Sequence, residues 1–177
     1  MIGEVYNMPP QPPVAEHTRY FDAGAVRIGV EYRDVDPASL TATYAGNAAH
    51  LAELEGRSPE GGFSDEGVSI HVCGDDGHEY VRFDVFDDEP HYHYVHKTTA
   101  DGEIVNNVVA YDAVALGDML DWAIERLRTR LPDMLRAAGG DDVAARLDGE
   151  QVTRAVTEVE ALARQARAAH ASAASEG

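Results

Sequence analysis

The sequence predicts an α+β domain, an antiparallel meander sheet of about five strands with C-terminal helices packed on one face. Three observations carry this. Four strand-like runs, Val68–Cys73, His78–Phe86, His91–Lys97 and Glu103–Val109, follow one another with only GDDG, DDEP and TTADG between them. Connections this short make hairpins and cannot make parallel crossovers. After Tyr111 the apolar spacing changes from two to between three and four, the period of helices. The chain of 177 residues is 44% apolar and 26% charged, enough for a single hydrophobic core.

The elements follow in order. Residues 1–22 read as an extended, proline-rich arm, because residues 7–16 (NMPPQPPVAE) carry four prolines. Residues 23–172 read as one α+β domain and 173–177 as a frayed tail. In Ala25–Tyr32, Val26, Ile28, Val30 and Tyr32 alternate with polar or small residues, the pattern of a half-buried strand. Asp36-Pro37 looks like an N-cap followed by proline at the first helical position, opening a helix that runs toward Glu55 and stops at Gly56. Residues 57–66 read as a loop. The four meander strands follow. Val114, Leu116, Met119, Leu120, Ala123, Leu127 and Leu131 then mark an amphipathic helix, kinked or broken by Pro132 and ended at Gly139-Gly140. Asp148 and Gln151 resemble a capping box for a last helix, whose stripe is Val152, Val156, Val159, Leu162 and Ala166.

Charge narrows the partners. Thirty-two acidic residues against 14 basic ones give a net charge of −18. Such a chain repels phosphate backbones and anionic lipid surfaces, so neither nucleic acid nor a membrane is an expected partner. Cys73, the lone cysteine, excludes a disulfide scaffold within the chain. The opening residues carry neither a basic nor an apolar leader segment, and a cytoplasmic protein is the expectation.

Five of the eight histidines and three of the eight tyrosines lie between His71 and His96, most densely in PHYHYVH at 90–96. A four-residue DDEP loop would place Phe86 opposite His91, Asp84 opposite His93 and Arg82 opposite Val95. One face then carries Val81, Phe83, Val85, Tyr92 and Tyr94, and the other Tyr80, Arg82, Asp84, His91 and His93. A four-residue GDDG loop likewise sets Cys73 opposite His78 and His71 opposite Tyr80. On this register His91 and His93 share a face about 6.5–7 Å apart, with Asp84 roughly 5 Å from His93. Two imidazoles and a carboxylate resemble the facial triad of non-haem iron sites and equally a catalytic zinc site. His71 is expected too far along the sheet to join them. The triplet His91-Tyr92-His93 is similar to the His-x-His of cupin barrels, but Lys97-Thr98-Thr99 stand where the cupin glutamate is expected, and the family is not assigned. The plainer account is a cross-strand Asp84–His93 pair beside half-buried tyrosines.

Around the candidate metal ligands Asp84, His91 and His93, Arg82 is placed to clamp a substrate carboxylate and Tyr80 to donate a hydrogen bond or proton. Cys73 would need His78 as a base to be a nucleophile. No dinucleotide, P-loop, nucleophile-elbow, HExxH or CxxC pattern is present. Two readings result. The first is a small metal- or ligand-binding protein, in its catalytic form a zinc- or iron-dependent enzyme acting on a small polar substrate. The second is a non-catalytic interaction module that self-associates through its amphipathic C-terminal helices.

Overall fold

A computed structural model describes residues 3–176. Its centre is a seven-stranded antiparallel sheet rather than one of about five strands, and the α+β class holds. The strands are β1 (Glu4–Tyr6), β2 (Arg19–Asp22), β3 (Val26–Val35), β4 (Asp65–Gly74), β5 (Glu79–Phe86), β6 (His91–Val95) and β7 (Asn106–Ala110). From β2 to β7 they form a meander, and β1 pairs with the free edge of β7, giving the order β1-β7-β6-β5-β4-β3-β2. The two additional strands come from the proline-rich segment, which supplies both edges. Between them, residues 7–18 must cross the sheet. Six inter-strand spacings amount to roughly 29 Å, within reach of a stretch of prolines that pre-extends the chain.

The helices divide between the two faces. The helix expected from Asp36 toward Glu55 is two: α1 (Pro37–Tyr44), opened by Asp36 in a capping box with Ser39, and α2 (Ala48–Arg57). Asn47 ends the continuity, because its side chain accepts from the amides of Ala49 and His50 and so starts a new helix. The amphipathic helix after Tyr111 is likewise divided, into α3 (Ala113–Leu116), α4 (Met119–Thr129) and α5 (Leu131–Ala137), and a short α6 (Asp141–Ala145) follows the expected stop at Gly139-Gly140. Gly117, at φ 82°, breaks it ahead of Pro132, which leaves Val114 and Leu116 exposed. Asp148 accepts from the amides of Glu150 and Gln151 and opens α7 (Gly149–Glu176).

One sheet face is dry. Ile28, Val30, Ile70, Val72, Val81 and Phe83 meet Leu120, Ile124 and Leu127 of α4, Leu131 and Leu135 of α5, and Val152, Val156 and Val159 of α7. The valine-led stripe of α7 is therefore consumed inside the domain. Among the described residues, no helix is long and apolar enough to cross a membrane.

The opposite face is polar and yet covered. Two rows of side chains cross it, Glu31, Ser69, Asp84 and His91 in one, His71, Arg82 and His93 in the next. Residues 3–12 and the α1–α2 pair roof this face. They are tied down by Tyr44 Oη donating to the Pro9 carbonyl, by the Asn7 amide on the Glu53 carboxylate, and by Arg57 on Glu4 and the Val5 carbonyl. Between roof and floor lies a cavity of about 590 Å³.

Candidate metal centre

The register of the β5–β6 hairpin sets the centre. Asp84 stands opposite His91 and Arg82 opposite His93, a shift of two residues from the pairing that a four-residue DDEP loop predicts. The reason lies in β5. Val85 and Phe86 stay paired with β4, at Val68 and Gly67, after the chain has left β6. Asp65 holds the turn there by accepting from the amides of Asp88 and Glu89. A shift of two preserves which side chain faces which way. Asp84, His91 and His93 therefore still converge, with exchanged partners.

The convergence is tight. Asp84 Oδ2 lies 3.1 Å from His93 Nε2 and 3.4 Å from His91 Nε2. The three ligand atoms fall within 4.8 Å of one another, and the group could hold a metal ion. The far side of each ring is occupied. His91 Nδ1 is 2.6 Å from the Glu89 carbonyl, which can only accept, so this nitrogen carries a proton. His93 Nδ1 is 2.8 Å from Asn106 Oδ1. Hydrogen bonds of this kind fix metal-binding histidines, leaving the Nε2 lone pair for the ion. Asp84 Oδ1 accepts from the Ser69 hydroxyl at 2.5 Å. Two Nε2 lone pairs aimed at one carboxylate require positive charge among them, from a proton or a cation.

The electrostatics agree. Burial pushes the Asp84 carboxyl up, but the hydrogen bonds to His91 and His93 and the Arg82 charge hold it well below the usual carboxylate range. Burial disfavours a charged His91, yet its contact with Asp84 outweighs this and raises its pKa. His93 goes the other way, lowered by burial and by the neighbouring His91 despite the same carboxylate.

Arg82 is on the polar face, as expected, and its guanidinium is engaged. Nε donates to Glu79 Oε1 at 2.9 Å and Nη2 to Oε2 at 2.7 Å. Tyr80 is not there. A bulge between Val72 and Cys73 pairs Val72 with Val81 and Cys73 with Glu79, leaving Tyr80 as the extra residue. The expected pairings of His71 with Tyr80 and Cys73 with His78 are thereby replaced by His71 with Arg82 and Cys73 with Glu79. Tyr80 turns into the helix-side core, where its ring packs against Gly140 so closely that an added Cβ would lie 2.9 Å from it. Glu79 takes the polar face in its stead.

That exchange builds a network the sequence did not reveal. His71 is wholly buried, with Nδ1 2.5 Å from Glu79 Oε1 and Nε2 2.9 Å from Glu31 Oε1. A ring with a carboxylate at each nitrogen is an imidazolium. Burial opposes its charge, but the bonds to Glu31 and Glu79 prevail and its pKa is raised. Glu31 also meets Arg33, at 3.3 Å. Glu31 and Arg33 were overlooked because, on sequence alone, they are the wet side of an ordinary amphipathic strand. Cys73 is paired with Glu79 and not with the base His78, and burial drives its thiol up to about 11.

The strands that carry this centre are those of a recognised family. Residues 20–163 match the model of a domain of unknown function, DUF7700. The chain belongs to the DUF7700 family. The matched span takes in β2 from Tyr20 onward, β3 to β7 and about half of α7, and so the whole of Asp84, His91, His93, Arg82 and the His71 network; β1 lies outside it. No curated protein and no solved structure matches the chain.

Proposed function

We propose that this DUF7700 chain is a metal-dependent small-molecule protein, with a divalent ion held by Asp84 Oδ2, His91 Nε2 and His93 Nε2 on the floor of the covered cavity. One observation carries the reading. Both imidazoles are pinned through Nδ1, at Glu89 and Asn106, so that their Nε2 atoms converge on one buried carboxylate oxygen. Two histidines and one carboxylate suit zinc and ferrous iron alike. When bound, such an ion supplies a Lewis acid and lowers the pKa of a bound water.

The chain's own residues do the rest. Ser69 and the Arg82 charge keep Asp84 ionised and oriented. Arg82, immobilised by Glu79, lines the same cavity and orients a polar substrate group. The roof of residues 3–12 and α1–α2 shields the floor from bulk water, which strengthens each of these interactions. Tyr80 takes no part, since its ring lies on the other side of the sheet. Self-association through α7 loses its main support, because the stripe proposed for it is buried against the sheet.

The test is elemental analysis by plasma mass spectrometry of the untagged full chain purified without chelator, beside His91→Ala/His93→Ala. Near one ion per chain, absent from a variant that keeps its circular dichroism spectrum, is the expected result. A wild-type chain that neither carries metal nor takes up added Zn²⁺ or Fe²⁺ in calorimetry overturns the proposal and leaves a proton-bridged structural cluster.

A further inference from the structure

Apart from the proton between Asp84 and its two histidines, which an ion would displace, the charges beneath the cavity are already balanced. Glu31, Glu79 and Asp84 supply three negative charges. Arg33, Arg82 and the doubly bonded His71 supply three positive ones, each in contact with a member of the first set or adjacent to it on the sheet. Asp65 is the other buried carboxylate nearby, and the amides of Glu66, Asp88 and Glu89 solvate it away from the cavity. The acidic residues at the rim, Asp88 and Glu89, are exposed and screened by water. A dication on Asp84, His91 and His93 therefore brings two uncompensated positive charges into a buried site, a costly state. An anionic ligand on the ion offsets that charge.

The walls say what else that anion carries. Above the polar floor the cavity is lined by Met8, Leu40, Tyr44, Leu54 and Phe63. Its 590 Å³ is in the range of about 300–1,000 Å³ that encloses small organic ligands, and it joins the charged floor of the sheet to these apolar side chains. On that floor Glu79 takes Nε and Nη2 of Arg82, so among the described residues Nη1 is the guanidinium nitrogen without a protein acceptor.

We propose that the ligand of this cavity is a small amphipathic carboxylic acid, its carboxylate set between the ion and Arg82 Nη1 and its apolar body against Leu40, Tyr44, Leu54 and Phe63. The inference rests on the metal reading above and adds the ligand class to it.

The experiment titrates the metal-loaded full chain with octanoate, octanol and acetate by calorimetry, with the metal content of the same sample measured. Octanoate is expected to bind roughly 10- to 100-fold more tightly than octanol, the worth of a charge-assisted hydrogen bond. It should exceed acetate by at least a similar factor, from burial of the chain. Leu54→Glu should abolish octanoate binding and leave the metal content unchanged. Equal affinities for octanoate and octanol overturn the charge argument, and equal affinities for octanoate and acetate overturn the apolar one. Metal present with no binding of octanoate overturns the ligand class and leaves the metal centre standing. A chain that takes up no metal removes the metal reading itself, and the octanoate titration of that sample then shows whether the acid binds to Arg82 alone.

Discussion

Removing the buried imidazolium is the most demanding test of the polar layer. In His71→Leu, the Glu31 and Glu79 carboxylates lose their shared partner at a site with no exposure. Neither is left bare. Glu79 keeps two bonds from Arg82, and Glu31 keeps Arg33 and the Val14 amide. The loss is then that of one broken buried pair rather than two, about 3–5 kcal/mol. For a chain of this length that lowers Tm by roughly 6–20 °C. The pH dependence gives the sharper signature. The folded pKa of His71 is raised above its unfolded value of about 6.5. Its contribution is thus complete below pH ~6.5 and fades as pH rises through the folded pKa. Glu79, held well below its usual range mainly by Arg82 against the push of burial, contributes above its unfolded pKa and is lost only as pH falls through the folded one. Urea denaturation from pH 5 to pH 10 should show wild-type stability declining on the alkaline side, and His71→Leu should lack that part of the decline. An unchanged alkaline slope in the variant, or a variant as stable as wild type at pH 6, would refute the assignment of His71 as a buried cation.

Two further outcomes separate the ion centre from its surroundings. Asn106→Leu removes the acceptor that fixes His93 through Nδ1 and should weaken zinc binding about 10- to 100-fold in a competition titration; unchanged affinity would show that the Asn106 contact does not position the ring. Tyr80→Phe loses a 3.2 Å hydrogen bond to Asp76 and should cost about 0.5–1.5 kcal/mol in thermal denaturation with metal content intact; metal loss in this variant would place Tyr80 where the bulge says it is not.

Much of the sheet was legible because local chemistry decided it. GDDG, DDEP and TTADG sit between alternating runs, and alternation alone assigned Asp84, His91 and His93 to one face. Register was less legible. It turned on how far β5 stays with β4 after leaving β6, and on the grip of Asp65 on the Asp88 and Glu89 amides, a contact between residues more than 20 apart in the chain. The bulge that exchanges Tyr80 for Glu79 leaves no local mark, since both residues fit either face of a strand. The strands at the two edges were hidden for a different reason. Glu4–Tyr6 is too short for a period, and its pairing with β7 is a wholly tertiary event. The roofed floor followed from that pairing and from α1–α2, so a face that reads as wet became the site of the buried charges.

The belt formed by residues 7–18 also imposes an order of events. Glu4 pairs with Val108 and Tyr6 with Asn106, so the earliest strand to be synthesised has no neighbour until about a hundred further residues have been made. Contacts this distant in sequence are the slow ones to form. The meander from β2 to β7 can assemble by successive hairpins while the first residues wait. The roof over Asp84, His91 and His93 is therefore completed by β1 only after the floor is in place.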